Sequence, residues 1–349
     1  MNLRDVENID WPQAWGEPCA RGMLRQSPED FEVQELLSFE PSGSGEHVLL
    51  QIRKRGENTL WVARQLARLA GVKPREVGYA GLKDRHAVTT QWFSVGLAGN
   101  AAPDWESINS ESITLLRAER HHRKLRTGAL MGNRFHLRVT QCTGDSQSTA
   151  ERMATIAQSG IPNYFGEQRF GREGDNVAQA RALFAGRIKV RDRKLRGLLL
   201  SAARSWLFNE LLARRVREGS WNQLIPGEVL GLDGRSAVFA SEGESDDELS
   251  RRLKRLEIHP TGPLWGTGNT MVAADAKTLE ESVAAEYPAL AEGLERAGLK
   301  HERRPLRTRV QDLSWDFASD ALELGFTLRS GSYATAVLRE IVHYDSPNR

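Results

Sequence analysis

Polar and apolar residues alternate in several stretches of this chain and recur at helical spacing in others. In "FEVQELLSFEPSGSGEHVLLQIRKRG" the residues Phe31 and Val33, then Val48, Leu50 and Ile52, take alternate positions. The segment predicts strand, loop, strand, with "PSGSG" as the turn. "ENTLWVARQLARLAGV" predicts an amphipathic helix with Leu60, Ala63, Leu66, Ala67 and Ala70 on one face. Asn58 or Thr59 suits its start and Gly71 its end. "GYAGLKDRHAVTTQWFSV" again predicts strand, loop, strand, and "ALMGNRFHLRVTQC" a strand with Phe135, Leu137 and Val139 on one face. "TAERMATIAQSG" predicts a helix ending at Gly160.

Beyond "IPNYFGEQRFGREGDN" the spacing turns helical, in "VAQARALFAG", "LRGLLLSAARSWLFNELLARRVREG" and "DDELSRRLKRLEI". The acidic "SEGESDDE" reads as a solvated loop or helix start, where carboxylates complement the helix dipole. A further helical stretch covers residues 277 to 297. Alternation returns in "LSWDFASDALELGFTLRSG", with Leu322, Leu324, Phe326 and Leu328 on one face, before a last helix, "YATAVLREIVHY". Sheet-forming flanks around a helix-rich middle predict one domain inserted into another.

The 349 residues suffice for two cores. At 40% hydrophobic and 27% charged the composition is that of a globular protein. The two cysteines, Cys19 and Cys142, form no CxxC pair, so neither a disulfide framework nor a zinc site is expected. "MNLRDVENIDWPQAW" is acidic, without the apolar core of a leader, and no apolar run is long enough to span a bilayer. A reducing cytoplasm is the expected compartment. With no unexplained apolar stripe, a monomer is expected.

Net charge is only +2 although Lys and Arg number 48, so clustering carries the information. "RAERHHRKLRTG" gathers Arg117, Arg120, Arg123, Lys124 and Arg126 around His121 and His122. "KVRDRKLRG" and "KHERRPLRTR" repeat the theme. One such run is usually a solvated face. Three in a nearly neutral protein favour nucleic acid as partner, because the guanidinium fork matches phosphate oxygens. Most of the aromatics belong to the core, while one or two at strand ends suit an unpaired base. Asp84 stands among Lys83, Arg85 and His86. A cation beside a carboxylate favours its ionised form, which serves as nucleophile or general base. A surface ion-pair turn explains an arbitrary "KDR" equally well.

The ordered motifs "SPEDFEVQEL", "GYAGLKDRHAVTTQWFSV", "HHRKLRTGALMGNRF", "GIPNYFGEQRFG" and "LRSGSYATAVLRE" resemble those of the TruD family of tRNA pseudouridine synthases. The resemblance extends from about residue 20 to 340. It implies an α+β protein: a pseudouridine synthase catalytic domain, an antiparallel sheet with helices, over 1–159 and 307–349. A helix-rich α/β TRUD domain is implied as an insertion over 160–306. It further implies isomerisation of uridine 13 in the D arm of tRNA, with no cofactor and no metal. By motif, Asp84 matches the catalytic nucleophile. Phe31, Asn133, Phe135 and Tyr333 match substrate contacts, Phe135 as the ring that stacks on the target base. Arg25 matches a basic pocket position. Tyr333 stands where Phe also occurs in the family, and Arg25 where Lys also occurs. RNA-backbone contacts are expected from Lys83, Arg85, His86, Arg123, Lys124 and Arg126. The competing reading is a catalytically inactive RNA-binding protein or chaperone on the same fold. A hydrolase or transferase acting on another acidic polymer has no motif behind it.

Overall fold

The computed structural model describes residues 11–97, 99, 101–171, 174–241 and 246–347. The first ten residues, part of the acidic N-terminal stretch, and 242–245 of the expected acidic loop lie outside the described residues.

Strands β1 (Ala20–Leu24), β2 (Phe31–Leu37) and β3 (His47–Arg55) lead into helix α1 (Thr59–Leu69). Then come β4 (Val77–Tyr79), β5 (Val88–Gly96), β6 (Ile113–His121) and the long β7 (Leu130–Gly144). After α2 (Ser146–Ser159) follow β8 (Ile161–Pro162), α3 (Asp175–Phe184), α4 (Arg193–Arg217), β9 (Val229–Leu232) and β10 (Val238–Ala240). Next are α5 (Asp246–Lys254), β11 (Ile258–Leu264), α6 (Ala274–Glu286), α7 (Pro288–Arg296), β12 (Glu302–Pro305) and β13 (Arg307–Thr308). The chain closes with β14 (Gln311–Ala318), β15 (Ala321–Arg329), α8 (Ala334–Ile341) and β16 (Val342–Asp345). Two compact units result. A sheet unit comprises Cys19–Ala150, Gln311–Gly331 and 342–347, and a helical unit 11–18, Glu151–Val310 and Ser332–Ile341.

In the sheet unit the strand order is β14-β15-β7-β2-β5-β3-β6, with β4 on β5 and with β1 between β7 and β16. Pairing is antiparallel except for β2 with β5 and β1 with β16. The strands on either side of "PSGSG" are therefore not a hairpin, since β5 lies between them. Val48, Leu50 and Ile52 of β3 and Phe93 and Val95 of β5 pack on Val62, Ala63, Leu66 and Ala67 of α1. Burying each larger side chain contributes roughly 1.5–3 kcal/mol. Leu60, expected on that helix face, is exposed, and Val62 takes the buried place. Asn58 caps the helix by accepting from Leu60 N, which leaves the Thr59 hydroxyl for another task.

In the helical unit α4 is the central element, and its Leu199, Trp206, Phe208, Leu212 and Val216 are buried in one apolar cluster with Phe165, Phe170 and Leu294. The stretch 277 to 297 is two helices, broken where Pro288 removes a backbone donor. A small sheet of order β10-β9-β11-β12 runs through segments such as "HPTGPL". Its Pro and Gly residues obscure the strand signal. The expected last helix stops at Ile341, and Val342–Asp345 turns into a strand beside β1. No helix among the described residues is long and apolar enough to cross a membrane.

Candidate active site

The strand register brings one face of the sheet unit to a common row. Val33 lies opposite both Thr89 and Phe135, Phe135 opposite Phe326, and Thr89 opposite Lys54. One step along, Glu35 pairs with Asn133, which pairs with Leu328, while Gln91 pairs with Ile52. At one end of an otherwise apolar face, Lys54, Thr89, Gln91, Glu35 and Asn133 thus make a contiguous polar patch. All but Asn133 are fully or almost fully buried. Gly132 is required just before Asn133, because a Cβ there would collide with the Leu328 carbonyl of β15.

Buried polar groups are costly unless hydrogen-bonded, and all of these except Thr89, whose hydroxyl has no partner among the described residues, bond to the segment between β4 and β5. Gln91 Nε2 donates to Gly81 O (2.7 Å), and the Thr59 hydroxyl donates to Gln91 Oε1 (3.0 Å) while accepting from Lys83 N (3.0 Å). Lys54 Nζ donates to Glu57 O (2.7 Å) and to Asp84 O (3.4 Å). The loop that carries Asp84 is therefore fixed through its backbone by side chains from β3, α1 and β5. Burial pulls the Lys54 ammonium down to about 8, opposed by the Asp84 carboxylate.

The Asp84 carboxylate is held at both oxygens. Oδ1 accepts from the backbone N–H of His86 (2.9 Å), and Oδ2 lies 3.0 Å from Arg25 Nη2. Its side chain is 28% exposed, so one approach stays open to a reactant. Arg25 follows β1 with φ at +63°, a left-handed conformation unusual for a residue with a Cβ. A short turn anchored by Ser27 N donating to Asp30 Oδ2 (2.7 Å) then returns the chain to Phe31. The Arg25 guanidinium lies 4.1 Å from the centroid of the Phe31 ring. Phe31 meets Phe135 edge-on at 6.3 Å, and Phe135 stacks on Phe326 at 5.3 Å. An aromatic wall thus begins at the cation that pairs with Asp84.

Lys83, expected to touch RNA phosphate, turns inward. Its ammonium lies 3.0 Å from Glu35 Oε1 and donates to Asn133 Oδ1 (2.9 Å). The partner Glu35 Oε2 accepts from Trp92 N (2.8 Å), and burial pushes the Glu35 carboxyl up against the pull of Lys83. An ammonium only donates, so it fixes Asn133 with its oxygen toward Lys83 and its NH₂ turned away. Arg85 donates through Nε to Gly56 O (3.2 Å), and His86 is exposed. None of the three sequence neighbours supplies the cation that meets the carboxylate; Arg25 does.

Tyr333 lies in the helical unit. There its hydroxyl accepts from Arg169 Nη2 (2.7 Å), and its ring meets Phe165 at 6.1 Å. Arg304 lies 4.0 Å from the Phe165 ring centroid and donates to Asn163 Oδ1 (2.8 Å), and burial pulls its guanidinium down to about 10. Two motifs distant in sequence, "PNYFGEQRFG" and "GSYAT", therefore converge within that unit. Arg123, Lys124 and Arg126 belong to the sheet unit and follow β6. Among the described residues no group of three or more His, Cys, Asp or Glu side chains is gathered to hold a metal ion.

Sequence reasoning missed Glu35, Lys54, Thr59 and Gln91. A signal was present: each of the three strand residues among them breaks an alternation in its apolar phase, after Phe31 and Val33, after Leu50 and Ile52, or before Phe93 and Val95.

The family model described as tRNA pseudouridine synthase D (TruD) matches residues 13–179 and 175–341. The chain is 52% identical over 337 residues to the tRNA pseudouridine synthase D of Methylococcus capsulatus, covering 96% of this chain and 95% of that one. It is 51% identical over 328 residues to that of Nitrosococcus oceani, covering 93% and 91%. In fold it is similar to a Methanosarcina mazei protein assigned to tRNA pseudouridine synthase D, with a TM-score of 0.76, 23% identity and 98% of each chain covered.

Proposed function

From its membership in the TruD family of tRNA pseudouridine synthases, we propose that this chain isomerises uridine 13 in the D arm of tRNA to pseudouridine, with Asp84 as the catalytic carboxylate. The observation that carries the residue assignment is the pairing of Asp84 with Arg25 at the end of the Phe31–Phe135 wall. The setting proposed is the cytoplasm, with the protein acting as a monomer and without a cofactor.

The reaction breaks the bond from C1′ to N1, turns the uracil, and joins C1′ to C5. C5 loses its proton and N1 gains one, so the formula is unchanged. The base must first leave its stack, at a cost of a few kcal/mol, which new stacking offsets. In this reading Phe31 and Phe135 supply the apolar side of the pocket, with Tyr333 as a further substrate contact. The Asn133 NH₂, turned away from Lys83, donates to a uracil carbonyl. Asp84 acts on the ribose–base unit. Attack at C1′, addition to the base and proton abstraction toward a glycal all use this one carboxylate. Arg85, His86, Arg123, Lys124 and Arg126 are the proposed phosphate contacts, and Lys83 is instead a positioning residue.

Incubation with unmodified tRNA transcripts, followed by mapping of pseudouridine, tests the reading. Product in the D arm with the wild type and none with Asp84→Asn is expected. Product retained by Asp84→Asn overturns the nucleophile, and tRNA binding without product from either protein favours the inactive RNA-binding alternative.

A further inference from the structure

A cavity of about 860 Å³ opens in the sheet unit among Phe39, His47, His121, Arg123, Lys124 and Arg126. This volume falls in the range of roughly 300–1,000 Å³ typical of small-molecule sites. His47 begins β3, whose other end carries Lys54, the residue bonded to the Asp84 backbone. At strand rise the two lie about 23 Å apart, which sets the His47–His121 end of the cavity far from Asp84.

Its walls are built rather than incidental. Phe39 and His121 stack at 4.8 Å with their planes 17° apart. Ser42 N donates to His121 Nδ1 (3.2 Å), which fixes the ring orientation with Nδ1 as the acceptor. The glycine turn 41–45 folds onto the end of β6, and Gly45, at φ +121°, leaves no room for a Cβ against His121 O. Leu125 N donates to the Ser94 hydroxyl (2.8 Å), and Lys124 is tied to the Arg75 carbonyl, so the basic segment is pinned along the cavity. Arg123 and Arg126 are left exposed. The chemistry offered is one planar aromatic surface beside a row of guanidinium groups.

We propose that this cavity is a second nucleotide site, which takes an unpaired nucleotide of the RNA substrate away from the reacting uridine. Its base extends the Phe39–His121 stack, and its phosphate meets Arg123 and Arg126. The proposal rests on the reading of the chain as a tRNA-modifying enzyme. It adds a second recognition point that does not touch the reacting base.

The test measures the Kd for an unmodified tRNA transcript across a salt series, with kcat/KM for pseudouridine formation. Phe39→Ala is expected to raise Kd about 5- to 150-fold, the loss of one stacked base, with the salt slope preserved. kcat/KM should fall by a similar factor. Phe39→Trp restores affinity to within about threefold, because any aromatic face stacks. Arg123→Gln with Arg126→Gln weakens binding and makes the salt slope shallower by roughly 0.7 for each phosphate no longer neutralised. An unchanged Kd in Phe39→Ala overturns the proposal, as does failure of Phe39→Trp to rescue. Uridine monophosphate that binds wild type but not Phe39→Ala, with tRNA affinity equal in both, overturns it in favour of a free-nucleotide site. A wild type that binds tRNA yet makes no pseudouridine defeats the functional reading instead, while the Phe39 comparison still decides this one.

Discussion

Arg25 holds the Asp84 carboxylate at 3.0 Å from a backbone conformation, φ +63°, that an arginine adopts at a cost. Left-handed geometry costs a residue with a Cβ about 1–2 kcal/mol. The surrounding sheet sustains this strain, and the guanidinium's contacts with Asp84 and Phe31 offset part of it. Arg25→Gly removes both strain and cation. Its stability in urea unfolding is expected to stay within about 1 kcal/mol of wild type. Turnover is expected to fall at least about tenfold, the effect of about 1.4 kcal/mol on the barrier. Undiminished turnover would detach Arg25 from the chemistry.

The Lys83–Glu35 pair is predicted to behave as a buried unit. Glu35→Met leaves an ammonium with little solvent, and Lys83→Met leaves a carboxylate with none. Each single change is expected to destabilise by roughly 3–5 kcal/mol. The double replacement should cost less than the sum, as an unfolding cycle over the four proteins will read. Turnover should remain low in the double variant, because Asn133 has lost the donor that orients its amide.

Lys54 gives a pH dependence of defined sign. Folding lowers its ammonium from 10.5 to about 8, through burial opposed by Asp84, with Lys83 lowering it further and Glu35 and Glu57 raising it. Between those two values the unfolded chain binds more protons, so this residue's contribution to stability rises with pH there. Below about 8 the buried charge costs stability. Lys54→Met should therefore lack the alkaline rise seen in wild-type unfolding measured from pH 7 to 11. Wild-type turnover should decline above about pH 8, as the bonds to the Asp84 and Glu57 carbonyls lose their charged donor. Parallel curves for the two proteins would exclude Lys54 as the source.

Phe135 requires a careful substitution. Only 7% exposed and stacked on Phe326, it is core as well as pocket wall. Phe135→Ala is expected to cost about 3–5 kcal/mol, which confounds any loss of activity. Phe135→Leu keeps most of the volume and should unfold cooperatively with a smaller loss. Its turnover should still fall, because a flat ring is gone. Wild-type turnover in that variant would remove Phe135 from substrate stacking.

The elements with regular periods were legible: Phe31 with Val33, the β15 leucines, and the face of α1 apart from Leu60. Strand neighbours were not, because the pairing of β2 with β5 depends on contacts between segments more than fifty residues apart. "HPTGPL" was unreadable as a strand, since proline and glycine dilute its pattern and tertiary pairing supplies what propensity lacks. Of the site, Asp84 was legible only through its motif, and so was Arg25, whose place in the family pocket left it able to pair with Asp84. Neighbouring Lys83, Arg85 and His86 offered the same pairing by sequence, and the fold gives it to Arg25, which follows β1. Glu35, Lys54 and Gln91 were visible as misplaced polar residues, but their purpose depends on a loop that no periodicity describes.

The fifteen-residue β7 has one edge for β1 and β2 and another for β15. The two edges are supplied at different times in the life of the chain. At roughly 5–20 residues per second, a ribosome needs on the order of 10–40 s after Phe135 to deliver Phe326. Residues 151–310, with their own core, emerge in that interval. Asp84 and Arg25 are thus synthesised early, on a sheet that cannot close until the last tenth of the protein arrives, leaving a long strand edge open to other chains meanwhile. A nascent chain arrested before Gln311 is expected to expose β7 to protease and release it from attack once β15 is added. The order of synthesis therefore makes the enzyme's site one of the last things to be completed.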